Sequence, residues 1–240
     1  MAGATIPMSG DGRVMYYSDY NTNGGCKRNR EEAWTCCTGT RPQVVADCHD
    51  LIYFKDADTL AVCLYTPSTV VWQRRGGTVT IRQQTNFPEA PTASFTISLP
   101  AAARFGIKLR LPDWLAVPLR ASVNGKALAA RQERLHWVSF VREWREGDRL
   151  SVELPMKFWV SRLDVSRAYP AAIMYGPVAM AVCSPRGNPA AKIDLGRLDR
   201  DLLPVDGEAL VYRLAADHNV LVKPFYAFKE GEPYYLYLSR

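Results

Sequence analysis

The chain has 240 residues, 48% of them hydrophobic and 22% charged, which is enough apolar material for a packed core and excludes a disordered polyelectrolyte. Its formal net charge is +6, but the 30 lysines and arginines are spread along the sequence. The densest cluster, Lys27, Arg28 and Arg30, is answered at once by Glu31 and Glu32 and reads as solvated surface, so the basic stripe of a nucleic-acid binder is not in evidence.

Residues 1–35 are polar and rich in Gly, Asn, Ser and Tyr, the composition of a long loop. The opening MAGATIPMSGDGR shows no basic region followed by an apolar one, so no signal peptide is visible and the reading leans toward the cytoplasm. No apolar run approaches the ~20 residues that span a bilayer. In the next stretch Val44, Val45, Cys48, Leu51 and Ile52 recur at helical spacing. Thr40 is a fitting cap and Pro42 suits a first turn, so one amphipathic helix is predicted over 41–53. A lone helix cannot bury its own apolar stripe. The exposed patch it leaves predicts self-association.

After Asp56 the period changes to two. Leu60, Val62 and Leu64 alternate with Ala61, Cys63 and Tyr65, and TVTIRQQT, ASFTISL, FGIKLRL, LHWVSFV and RLSVELP follow. Asn124-Gly125 between strand-like flanks marks a hairpin. Many short strands at this spacing predict a β-sandwich over 56–157. The pattern continues through AAIMYGPVAMAVC, read as one long strand interrupted at Gly176-Pro177, to a smaller β module over 158–240. The expected fold class is mainly β: two β-sandwich-type modules preceded by a loop and one helix, with residues 1–55 forming a separate leading piece.

Six cysteines are present. Cys63 and Cys183 sit in apolar strand-like runs and Cys48 on the helical pattern, all three reading as small buried hydrophobes. The doublet Cys36-Cys37 in EEAWTCCTGTRPQ differs. By composition alone it is either a chance pair, as buried thiols or a vicinal disulfide, or a pair of metal ligands. Cys26 and His49 are the local candidates to complete a metal shell, although His49 reads first as a packed or hydrogen-bonded core position. Asp113, Glu143 and Asp148 fall at strand ends and read as turn residues rather than an acid/base set. Trp114 and Trp144 read as sandwich packing. Tyr16, Tyr17, Tyr20 and Trp34 precede or flank the doublet and read as loop packing, with sugar stacking the alternative.

WTCCTGTRPQ, HDLIYF, LAVCLYTPS, VTIRQQTNFPE, LRLPDW, VNGK, REWREGDRLSVELPM and YGPVAMA occur in that order. Together they resemble the β-L-arabinofuranosidases of glycoside hydrolase family 127. The resemblance implies an (α/α)6 catalytic barrel followed by β-sandwiches, with residues 1–55 the tail of that barrel. It implies a retaining hydrolase acting on arabinose-containing glycans, whose nucleophile is a zinc-bound cysteine instead of the usual carboxylate. Cys36 matches the nucleophile, which is also a zinc ligand, and Cys37 matches a second ligand. The family's remaining ligands, a glutamate and a cysteine, and its acid/base glutamate have no matching motif here, which predicts little or no catalysis by this chain alone. A reading from another class is a non-catalytic β-sandwich module that binds carbohydrate or protein; the fold by itself does not separate the two.

Overall fold

The computed structural model describes residues 17–28, 43, 46–129, 131–133, 136–184 and 187–239. Two compact units are present: Val45–Met156, and a second in which Met1–Val44 joins Lys157–Arg240. The described chain opens with two short strands, β1 (Tyr17–Ser18) and β2 (Lys27–Arg28), paired antiparallel. Residues 43, 46 and 47 are helical and run into a 3₁₀ turn at Cys48–Leu51 that buries none of its residues. The helix predicted over 41–53 therefore stops short, because Tyr53 already belongs to a strand. Its described apolar positions face solvent. Leu51 is 55% exposed, and Cys48 is exposed where a buried thiol was expected. Val44 and Val45 lie outside the described residues.

The Val45–Met156 unit is a sandwich. Its strands are β3 (Tyr53–Lys55), β4 (Thr59–Val62), β5 (Ser68–Arg74), β6 (Gly77–Thr85), β7 (Thr92–Ser98) and β8 (Ala103–Arg110). They are followed by β9 (Arg120–Val123), β10 (Lys126–Leu128), β11 (Arg131–Glu133), β12 (Trp137–Trp144) and β13 (Arg149–Glu153). Among the described residues these form one sheet in the order β10-β9-β13-β7-β6-β5 and a second in the order β11-β12-β8-β4-β3. Period-two alternation sends Val79 and Ile81 of β6, and Phe95 and Ile97 of β7, inward against Leu60, Ile107, Leu109 and Phe140 of the other sheet, all buried. Trp72, Phe105 and Trp144 anchor this core. The Trp72 ring meets Phe105 edge-on at 5.6 Å, and the fully buried Trp144 donates its indole N–H to the Phe105 carbonyl at 3.1 Å. Asn124 and Gly125 both have positive φ and close the β9–β10 hairpin, as their sequence predicts.

The second unit continues with β14 (Phe158–Arg162), β15 (Ala171–Tyr175), β16 (Val178–Cys183), helix α1 (Leu198–Asp201), β17 (Leu202–Pro204), β18 (Tyr212–Leu214), β19 (Asp217–Pro224) and β20 (Tyr237–Leu238). The strands build one antiparallel sheet, β14-β15-β16-β19-β18-β17, with β20 added to β15. The run read as a single interrupted strand is a tight hairpin, with Tyr175 opposite Val178 and Gly176 at φ 50° supplying the reversal. Ile173, Val182, Leu198, Leu214 and Val222 form one apolar cluster of this unit, and Phe225, Phe228, Tyr234 and Leu236 form another. The fold class expected from the sequence, mainly β with sandwich modules, is the one observed.

Candidate functional site

The residues leading to the cysteine doublet are held firmly. Gly25 exchanges two backbone hydrogen bonds with Tyr234, each 2.9 Å, and the Gly231 N–H donates to the Lys27 carbonyl at 2.9 Å. The Tyr234 hydroxyl donates to the Asp19 carbonyl at 3.0 Å, and the Asp19 carboxylate accepts the Cys26 N–H at 3.1 Å. A side chain at position 25 would not fit, since a Cβ there would stand 2.1 Å from the Asp19 Cβ.

Lys27 is the departure from the sequence reading. It was grouped with a solvated basic cluster, yet it is fully buried. Its ammonium donates to the Phe225 carbonyl at 2.6 Å and lies 4.5 Å from the centre of the Phe225 ring. Burial pushes its pKa down to about 8, opposed by Glu232 and reinforced by Lys223. Those two residues are themselves paired at 2.5 Å. The partners of Lys27 come from some 200 residues further along, so a charge cluster in the sequence gives no sign of its burial.

β2 ends at Arg28, and Cys36 follows eight residues later. Cys36 and Cys37, with Tyr16, Glu31, Glu32 and Trp34, lie outside the described residues. Of the residues considered for completing a metal shell, Cys26 is partly exposed, and its sulfur accepts the Arg28 Nε–H at 3.3 Å. The His49 ring is exposed, bonded to the Ala46 carbonyl and 3.0 Å from the Asp50 carboxylate. Among the described residues no group of three or more His, Cys, Asp or Glu is placed to hold a metal ion.

Asp113 and Asp148 lie at turns, as their sequence suggests, whereas Glu143 is a surface residue of β12. Asp113 pairs with His136 at 2.8 Å and Glu143 with Arg145 at 3.3 Å, all on the surface. Asp148 is buried and accepts the Asn124 amide at 2.7 Å and the Arg145 N–H at 3.0 Å, tying one hairpin to the next. Trp114 stacks on Phe87 with ring centres 5.8 Å apart. Cys63 and Cys183 are half-buried, and the burial they have raises the pKa of each thiol, so neither is an activated nucleophile.

A cleft of about 600 Å³ opens on the outer face of the six-stranded sheet, lined by Gln84, Ser94, Ser122, Ser151, Arg120 and Arg149 among others. Nothing in the sequence singled these residues out, since strand order and register bring them together.

Residues 59–156 match the family model described as "Beta-L-arabinofuranosidase, GH127 middle domain". No curated protein matches the sequence significantly. A glycoside hydrolase family 127 β-L-arabinofuranosidase from Geobacillus stearothermophilus superposes with a TM-score of 0.64 at 20% identity, covering 89% of this chain and 38% of that one. A family 127 β-arabinofuranosidase gives 0.68 at 16% identity, covering 93% and 42%. A structure named glycoside hydrolase gives 0.63 at 14%, covering 89% and 41%. The chain thus spans about two fifths of the length of these structures, which share its fold. Residues 59–156 match the middle domain of glycoside hydrolase family 127, and the chain shares the fold of solved structures from that family.

Proposed function

We propose that this chain supplies the cysteine-bearing segment and the β modules of a retaining glycoside hydrolase acting on arabinofuranosides. The middle-domain match over residues 59–156 carries the reading. It is supported by the family motif around Cys36-Cys37, which stands directly upstream of that domain in the expected order. In this reading Cys36 attacks the anomeric carbon as a thiolate, and the glycosyl–sulfur bond forms as the leaving-group oxygen departs with a proton from an acid/base glutamate of the barrel; water, deprotonated by that same group, then cleaves the bond and releases the Cys36 thiolate. Cys36 and Cys37 are soft ligands of the kind zinc takes, and they fill two of its usual four positions. Zinc, when bound, keeps the Cys36 thiol ionised at neutral pH.

No residue of this chain matches the family's acid/base or its remaining ligands, so the purified chain should release no arabinose from an aryl β-L-arabinofuranoside. It should also lose zinc on dialysis against a chelator. Stoichiometric, chelator-resistant zinc together with turnover would overturn the proposal that the chain is inactive by itself. Joined to a family 127 barrel, the chain should support hydrolysis that disappears in Cys36→Ser. Persistent activity in that variant would remove Cys36 from the nucleophile role. A second, non-catalytic reading as a carbohydrate-binding module is favoured by the polar cleft on the sandwich face.

A further inference from the structure

The cleft on the Val45–Met156 unit is built by register. Gln84 of β6 pairs with Ser94 of β7, Ser94 with Ser151 of β13, Ser151 with Ser122 of β9, and Ser122 with Ala127 of β10. Beyond Gln84, a row of short side chains, Ser94, Ser151, Ser122 and Ala127, therefore crosses four neighbouring strands, about 14 Å at the ordinary strand spacing. Longer residues stand on both sides of this floor. Arg149, two positions before Ser151, reaches across to donate to the Ser94 hydroxyl at 3.1 Å. On the other side Arg120 pairs with Glu153 at 3.3 Å. The charges of that pair cancel. Arg149 has no carboxylate partner among the described residues, so the cleft carries one positive charge that nothing in its lining neutralises.

Chemistry narrows the occupant. No aromatic side chain lines the cleft, so a flat apolar ligand finds no platform there. The floor strands lie inside the sheet, and their backbone groups are already used in the β9-β13-β7-β6 ladder, so a peptide cannot be captured by adding a strand. What remains exposed is a dense set of hydroxyl, amide and guanidinium groups in a space of the size that small ligands occupy. Such a surface suits a ligand that is polyhydroxylated along its length and carries a carboxylate for Arg149 to meet in a forked, charge-assisted contact.

We propose that this cleft binds an acidic oligosaccharide, its hydroxyls on the serine floor and a uronate carboxylate on Arg149. Binding in this cleft does not depend on Cys36.

The test is calorimetric titration of the full chain with trigalacturonate, with neutral arabinotriose and tri-glutamate as comparison ligands. Trigalacturonate should bind, weaken with added salt, and exceed both comparison ligands by about tenfold or more, the range of one charge-assisted contact. Arg149→Gln should lose about tenfold and most of the salt dependence. Ser151→Tyr should abolish binding by filling the floor with a good strand-former. Ser122→Tyr on the neighbouring strand does the same if Ser151→Tyr shifts the thermal midpoint. Cys36→Ser should bind as the parent does, so loss of the catalytic reading leaves this one standing. Absence of trigalacturonate binding, equal binding of tri-glutamate or arabinotriose, or affinity unchanged in Arg149→Gln and in the tyrosine variants would each overturn the proposal.

Discussion

The two units solve the same problem, burying one face of a β-sheet, in opposite ways. The Val45–Met156 unit closes its core with strands drawn from one continuous stretch, and its aromatic anchors Trp72, Phe105 and Trp144 all come from within it. The second unit has β1 and β2 tied to residues some 200 positions away, through Gly25, Lys27 and Tyr234. A self-contained core tolerates change at its periphery and fails when its centre is cut. A stitched unit is sensitive at the stitches, where small residues and backbone contacts carry the load.

Trp144→Ala should break the self-contained side of this comparison hardest. Removing a fully buried indole should cost about 3–5 kcal/mol, read as a lowered urea midpoint. Asp148→Ala leaves the Asn124 amide and the Arg145 N–H without their acceptor and should cost about 2 kcal/mol in the same measurement. On the stitched side, Gly25→Ala forces the 2.1 Å approach to the Asp19 Cβ apart. It should cost about 1–3 kcal/mol, with faster hydrogen exchange confined to residues 17–28 and the 225–236 region. Equal exchange in the middle unit would show that the two units do not differ in this way.

The last effect is one of slope. Lys27 has a folded-state pKa lowered from 10.5 to about 8, so between those values the unfolded chain holds the proton more often than the folded one. Stability should therefore rise from pH 8 to pH 10.5, by up to about 3 kcal/mol. Lys27→Met, similar in length and uncharged, should flatten that rise. A Lys27→Met pH profile parallel to the parent's would show that the folded protein does not depress this amine.

Much of the architecture was legible in the residues. Alternation in TVTIRQQT and ASFTISL gives the inner faces of β6 and β7, and Asn124-Gly125 gives the hairpin, because both signals are local. Local signals also misled. AAIMYGPVAMAVC is apolar on both sides of Gly176-Pro177, so nothing in its composition separates an interrupted strand from a hairpin, and only the pairing of Tyr175 with Val178 decides. The helical pattern ran on to residue 53 because Ile52 and Tyr53 are apolar, yet Tyr53 pairs with Val62 in the sheet. Of the candidate site, the motif around Cys36-Cys37 falls outside the described residues. The burial of Lys27 and the serine-floored cleft were not legible, since both arise from residues far apart in sequence that only strand order brings together.

The docking of β2 beside Gly231 and Tyr234 has a consequence for synthesis. A ribosome adding about 5–20 residues per second produces Lys27 some ten to forty seconds before its partners near the other end of the chain. The middle sandwich, residues 45–156, can complete itself in that interval, before β2 meets its partners at residues 225–234.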